Sequence, residues 1–385
     1  MKITRFMTDH GIRHEALRAI ALASYHHAQT NPRAVMYGRP LTKEKYDASR
    51  WIIEPFHRLF DCCQENDGAG AVLVVPADRA RDLPHRPVYL LGAAQGGHHR
   101  SAAPVHNAPD YASAHFKTVA RNMWEMAKLG PKDVDVVQAY ENFTGGVLLS
   151  LVEHGFIDPA TVNEFLTLEN LEIQQRKDAH EYQRRQPGRV LHARAGNGER
   201  ECPPAARHRR QPGGEPAGRC RPWRPHGDAG QQPRPRHGGH PVSTALPAGL
   251  PAPGIEPLTA PYWDGTRAGK LVVQRCRGCH KHQWGPEWVC HRCHSFDLGW
   301  EEVAPRGRIW SWQRPHHPVH PALNGYGPYT IVLVELPDAD NIRMVGNLLC
   351  PPDAPVTIGA AVEAVFEPHD AATPPYTLVQ WRVAG

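Results

Sequence analysis

Between Ile173 and Ile255 the chain has no isoleucine, no phenylalanine and no methionine. Arg, Pro, Gly and His stand in their place, as in RRQPGRVLHARAGNGER and PPAARHRRQPGGEPAGRCRPWRPHG. No apolar period of 2 or 3.6 runs through residues 174–253, so neither strand nor helix is specified there. Such a composition buries too little apolar surface to offset ordering entropy and predicts disorder. The chain also lacks any apolar run near the roughly 18 residues of a membrane span, and MKITRFMTDHGIR lacks the apolar core of a signal peptide. A general basic excess is missing too. Residues 174–253 hold 14 Arg and 1 Lys against 2 Asp and 4 Glu, whereas the remainder holds 29 basic and 33 acidic residues. The sequence pI of about 8.7 therefore argues for neither nucleic acid nor an anionic membrane.

Residues 174–253 admit two readings: a basic linker or nucleic-acid-binding arm, or a coding sequence read one nucleotide out of register. The genetic code favours the second. Permitted codons for Gln183–Arg194, QRRQPGRVLHAR, read one base later as SGGNLAECYMHG. Those for Gln231–Ser243, QQPRPRHGGHPVS, read as SNPGPGTAVILYR, in which TAVILY has the pattern of a core strand.

Residues 1–173 alternate helical and extended patterns, the mark of an α/β unit. Arg13–Gln29 is Ala-rich with Leu17, Ile20, Ala21 and Tyr25 at helical spacing, and Asn31–Pro32 breaks it. Leu41–Trp51 reads as a second, surface helix. The run AVLVV at 71–75 and the segment Arg86–Gly96 read as strands, the first one buried. Asp110–Leu129 reads as a helix with Phe116, Val119, Met123 and Met126 on one face, Val134–Tyr140 as the next strand and Gly145–His154 as a further helix.

The stretches FDCCQENDGAGAVLVV, VYLLGAAQG and VDVVQAYENFTGGVLLSLVEHGF resemble the sterol-carrier-type thiolases, particularly their lipid-transfer and steroid side-chain aldolase branch. The resemblance covers residues 1–173 and implies that the chain begins inside the fold, without the family's N-terminal half and nucleophilic cysteine. It also implies a continuation through NTSGGNLAE and YMHG to a last core strand, the strings recovered out of frame. It places Tyr140 of YENFT where condensing thiolases carry the Asn of their Asn-Glu-Ala-Phe loop. A phenol there can donate to an oxyanion or remove a hydroxyl proton, which suits cleavage of a β-hydroxyacyl-CoA. Tyr140 is thus the candidate catalytic residue. The family's loop, with strands lacking their partners, is expected to be poorly held. Cys62 and Cys63 have no nearby base, metal or helix terminus to lower a thiol pKa and read as small packing residues. His154 reads as structural, and His98–His99 as a loop without ligand spacing.

From Ile255 onward patterned sequence returns. Cys276-Arg-Gly-Cys279 and Cys290-His-Arg-Cys293 are two CxxC knuckles separated by ten residues. Knuckles so spaced place four thiolates around a tetrahedral Zn²⁺, and a full thiolate shell makes that zinc structural. Paired CxxC units also indicate a reducing compartment, the cytoplasm by default. Five strand patterns follow: Gly307–Trp312, Tyr329–Leu336, Ile342–Leu349, Ile358–Glu367 and Tyr376–Val383. A zinc ribbon and five short strands predict an OB-type Greek-key barrel.

CRGC…CHRC, GRIWSW and GPYTIVLVEL resemble the zinc-ribbon/OB-fold proteins that accompany thiolase-like enzymes as acyl-CoA-binding or scaffolding partners. The expected domains are 1–173 thiolase-like, 174–253 out of frame and disordered, 255–300 helix and rubredoxin-like zinc ribbon, and 301–385 OB-fold. The expected function is a fragment of a thiolase-superfamily acyl-CoA acyltransferase or retro-aldolase, of lipid or steroid side-chain type, fused to its OB partner and inactive as written. Acyl-CoA is expected as substrate rather than cofactor. Expected partners are thiolase-like and hydratase-type subunits, in an oligomer, with no membrane. Two alternatives stand beside it: a non-enzymatic acyl-CoA-binding or scaffolding protein, and an OB module for single-stranded nucleic acid. Arg275, Arg277 and Lys281 are too few for a basic stripe, and the later strands are acidic at Glu335, Asp338, Asp340 and Glu363, which argues against the last.

Overall fold

The structure, a computed structural model, describes residues 1–63, 71–84, 86–97, 103–171, 190–195, 250–317 and 320–385. The first part is organised on α2, Glu15–Gln29, whose sequence EALRAIALASYHHAQ buries Ala16, Leu17, Ala19, Ile20, Ala21, Leu22, Ala23 and Ser24. Short side chains let neighbouring backbones approach, and a helix buried nearly all round needs them. The helix Thr144–Glu153 and α1, Lys2–Asp9, join α2 in one core that includes Met7, Leu17, Ile20, Leu148, Leu151 and Leu171. Gly145 marks the closest approach, since a Cβ there would lie 2.7 Å from Ile3 Cγ1 and 3.1 Å from His57 Nε2. Buried Glu153 caps the helix Phe116–Ala127, accepting from the backbone N–H of Ala114 at 2.9 Å and of Phe116 at 2.6 Å.

Three expectations are corrected in this part. The second helix is short: α3 spans Lys43–Asp47, and Trp51 instead opens β1, Trp51–Glu54, paired with β2, His57–Arg58. Arg58 donates to Ser49 O at 2.5 Å and lies over the Trp51 ring at 3.9 Å, which holds the chain extended there. The AVLVV run forms no strand, and Val72, Leu73 and Val74 are exposed. Residues 86–96 form none either, with Val88 and Leu90 exposed. An apolar run becomes a buried strand only when ladder partners flank it. Among the described residues β3, Val136–Glu141, pairs with one strand, β4, Val190–Ala195, in parallel register.

That fourth strand lies where no strand was expected. Ladder hydrogen bonds are made by the main chain, so an open sheet edge accepts a segment whose side chains carry no strand pattern. Residues 174–189 and 196–249 of the expected disordered segment lie outside the described residues.

The second part is built as anticipated. A helix, Ala260–Arg267, precedes a three-stranded ribbon in the order β6-β5-β7, with β5 Leu271–Cys276, β6 His282–Gln283 and β7 Leu298–Val303. Five strands follow: β8 Arg306–Pro315, β9 Thr330–Leu336, β10 Ile342–Leu348, β11 Ala361–His369 and β12 Tyr376–Val383. Their order β11-β12-β10-β9-β8, closed by β11 against β8, is a five-stranded Greek-key barrel with one parallel contact, Leu348 beside Trp381. Trp381 fills the barrel and requires Gly346, where a Cβ would stand 2.7 Å from the indole. Among the described residues, the core of this part, from Tyr262 to Trp381, draws none from the first part. β1 crosses over, pairing Ile53 with Pro315 and Glu54 with Arg314 of β8.

Candidate functional site

Tyr140 stands near the end of β3 with 73% of its surface exposed, next to Glu141, which is 7% exposed. Strand alternation explains the contrast, since successive side chains point to opposite faces. The Glu141 carboxylate accepts a short hydrogen bond from Ser24 Oγ of α2. Burial pushes its pKa up to about 8; the Ser24 bond opposes this and nearby Asp61 reinforces it. At neutral pH Glu141 is therefore largely protonated.

The loop after Tyr140 is held from three sides, contrary to the expectation of a poorly held one. Cys63 N donates to Asn142 O at 2.8 Å, and Cys62 forms an antiparallel bridge with Phe143. Asp61, 1% exposed, accepts from Thr144 Oγ1 at 2.8 Å, Tyr46 Oη at 2.7 Å and Arg58 N at 2.8 Å. One carboxylate thus ties α3, β2 and the start of the helix Thr144–Glu153 together. These local clamps do not depend on further sheet strands.

Burial pushes the Cys62 thiol up to about 12, with Asp61 and Cys63 adding to it, so it is a poor nucleophile at neutral pH. His154 Nδ1 lies 2.8 Å from Ser150 O, and its ring sits between Phe116 and Phe156, a packing position. His98 and His99 lie outside the described residues. Sequence reasoning passed over Ser24 and gave Asp61 and Glu141 no role. The available signal was an acid closing the apolar alternation VDVVQAYE, because a carboxyl there is either buried or at the strand's end.

The four ribbon cysteines converge. Their Sγ atoms all lie within 4.8 Å of one another, with Cys276–Cys293 and Cys279–Cys290 each at 3.6 Å. A tetrahedron of Zn–S bonds of about 2.3 Å has edges of about 3.8 Å, so the donor set fits one Zn²⁺. Cys279 N and Arg292 N donate to Cys276 Sγ and Cys290 Sγ at 3.5 and 3.4 Å, the turn geometry that favours thiolate. Several basic side chains of this part are engaged by acids: Arg275 with Glu301, Lys281 with Asp340, Arg306 with Asp338 and Lys270 with Glu302. No helix among the described residues is long and apolar enough to cross a membrane.

Comparison with known proteins agrees with both parts. Residues 97–184 match the thiolase C-terminal domain-like family, 263–299 the rubredoxin-like zinc ribbon domain of ChsH2, and 300–367 the ChsH2 C-terminal OB-fold domain. A steroid side-chain-cleaving aldolase of Thermomonospora curvata is 39% identical over 175 residues, 44% of each chain. A 17-hydroxy-3-oxo-4-pregnene-20-carboxyl-CoA lyase of Mycobacterium tuberculosis is 38% identical over 171 residues, again 44% of each. A solved chain titled Ltp2-ChsH2(DUF35) aldolase is 33% identical over 35% of this chain and all of that one, with a TM-score of 0.31. The chain spans less than half the length of the curated relatives it matches. The chain thus carries a thiolase C-terminal-like domain in its first part and a ChsH2-type zinc ribbon and OB-fold in its last.

Proposed function

We propose that this chain derives from an acyl-CoA carbon–carbon lyase of the retro-aldol type, acting on a β-hydroxyacyl-CoA with a steroid or other lipid side chain. The observation that carries the reading is Tyr140: an exposed phenol on a clamped loop beside a buried, largely protonated Glu141. A retro-aldol step needs a base to take the β-hydroxyl proton while the Cα–Cβ bond breaks, and donors to hold the enolate oxygen of the thioester. Tyr140 supplies one of these. The family resemblance expects a second tyrosine in a YMHG motif. Leu191-His192-Ala193-Arg194 stand at the in-frame positions, and β4 sets Arg194 opposite Tyr140. The match to the thiolase model ends at residue 184, which supports a change of reading frame near that codon. We therefore read the polypeptide as lacking one member of its catalytic pair and without turnover.

Cys276, Cys279, Cys290 and Cys293 would hold a structural Zn²⁺, with no open coordination position for substrate. The partners implied by the family resemblance are thiolase-like and hydratase-type subunits, in the cytoplasm. A non-enzymatic scaffolding role has one specific support, the self-contained core of residues 262–381. Two assays separate the readings. The chain as written should turn over neither a β-hydroxyacyl-CoA nor acetoacetyl-CoA. Restoring the frame and the thiolase sequence found in the relatives should produce aldolase activity that Tyr140→Phe lowers by about two orders of magnitude or more. Full activity of that Phe variant removes Tyr140 from the mechanism, and turnover by the chain as written removes the requirement for a second tyrosine.

A further inference from the structure

Between α1, β1 and the loop after Tyr140 lies a cavity of about 330 Å³. Ile3, Ile53, Phe56, His57, Tyr111 and Phe143 stand on its wall. Phe143 tilts against the His57 ring, with centroids 5.6 Å apart, and keeps 41% of its surface exposed. In this largely apolar wall His57 is the exception. Its Nε2 is buried and, among the described residues, meets no hydrogen-bond partner. Burial pushes the His57 pKa down to about 4 although nearby Asp61 opposes the shift, so the ring is neutral at pH 7. Three further polar groups at the wall are already engaged. Glu54 holds Arg314 at 2.6 Å and His316 at 2.8 Å. Lys2 Nζ donates to Ser113 O at 3.0 Å, and Gln313 Oε1 accepts from the N-terminal nitrogen at 3.1 Å.

A concave apolar wall with one convergent polar group is the usual form of a small-molecule site. A buried nitrogen without a partner is costly, and a ligand that brings one recovers that cost. Size and charge narrow the ligand. A cavity of about 150 Å³ takes benzene, so this one has room for about two fused rings. An anion is disfavoured, because the Glu54 carboxylate shares the wall and the Lys2 ammonium is turned to Ser113 and His115. A hydroxyl suits His57 in either tautomer, since it both donates and accepts. We infer that the cavity is a binding site for a small uncharged aromatic alcohol of bicyclic size, held by the apolar wall and by one hydrogen bond to His57 Nε2. Tyr140 does not line the cavity, so the inference does not rest on the catalytic reading.

The test is titration calorimetry of the full chain with 2-naphthol, naphthalene and 2-naphthoate. The parent should bind 2-naphthol saturably and one to one, and 2-naphthoate about tenfold more weakly, because a charge must be desolvated without a partner. His57→Leu removes the hydrogen bond and keeps the wall apolar. Its preference for 2-naphthol over naphthalene should fall by about fivefold or more, whereas His57→Gln, with a donor and an acceptor, should keep most of it. No saturable binding of 2-naphthol by the parent overturns the site. Binding of 2-naphthoate as tight as that of 2-naphthol overturns the uncharged class. An unchanged preference in His57→Leu, with circular dichroism like the parent's, overturns the hydrogen bond to His57. Should His57→Leu not fold, the parent still decides. Its His57 ring-nitrogen resonance, assigned by loss in His57→Gln, should move on saturation with 2-naphthol, and an unmoved resonance overturns the proposal.

Discussion

At the scale of single residues, Glu141 makes the sharpest statement about pH. Its carboxyl is held at about 8 in the folded chain against an ordinary value of 4.5, chiefly by burial. A raised carboxyl favours the protonated form, so its contribution is fully present below pH 4.5. It is lost as pH climbs toward 8, where folding must either charge the buried group or keep its proton. Between pH 4.5 and 7 the loss is on the order of 3 kcal/mol, at 1.36 kcal/mol per pH unit. Glu141→Gln keeps an acceptor for Ser24 but cannot ionise. Urea midpoints of the thiolase-like part should therefore fall from pH 5 to pH 8 in the parent and change much less in the variant. Equal slopes in the two proteins would exclude Glu141 as the source. The sequence showed the acid; only the packing of α2 against β3 showed that it is buried.

Secondary-structure elements pose questions of contact rather than charge. Gly145→Ala puts a methyl group 2.7 Å from Ile3 Cγ1 between α1 and the helix Thr144–Glu153. Overpacking of this kind costs about 1–3 kcal/mol. Ile3→Ala should cost less in the Gly145→Ala background than alone, because the truncation makes room for the new methyl. Denaturant unfolding of the four proteins measures that coupling, and strict additivity would mean that the two elements do not touch there. In the ribbon, Cys276→Ser should abolish stoichiometric zinc and unfold residues 271–303, since metal binding and folding are one equilibrium in such domains. Retention of one zinc per chain by the variant, with an unchanged near-UV spectrum, would contradict a four-thiolate site. Here the spacing of two CxxC knuckles was enough to name the four cysteines whose Sγ atoms converge. The strands expected at 71–75 and 86–96 were not decided by pattern, because an apolar run records a need for burial and not its fulfilment.

For the whole molecule, composition and contacts point in different directions and both matter. The Arg- and Pro-rich stretch at 174–253 predicts that limited proteolysis cuts there first. The seam around Trp310, whose ring lies between Arg5 of the first part at 4.6 Å and Arg343 at 3.8 Å, predicts that the two products stay together afterwards. Size-exclusion chromatography of the nicked chain should give one peak containing both pieces, which separate when Trp310→Ala and Arg343→Ala are introduced. Two peaks from the nicked parent would show that the linker alone holds the parts side by side.

The sequence by itself determined the two-part organisation, the four-cysteine cluster, the five barrel strands and the candidacy of Tyr140. Each is local: CxxC spacing, two-residue alternation and a short motif reach across only a few positions. Tertiary structure alone decided the rest. Asp61 became the tie between α3, β2 and the Tyr140 loop because residues distant in the chain donate to one carboxylate. Glu141 acquired its proton because α2 covers it. β1 left an expected surface helix to join a barrel more than 250 residues away in the chain, where Glu54 meets Arg314. No local pattern encodes these pairings, since each is a balance of burial, ladder hydrogen bonds and charge settled only when distant segments pack.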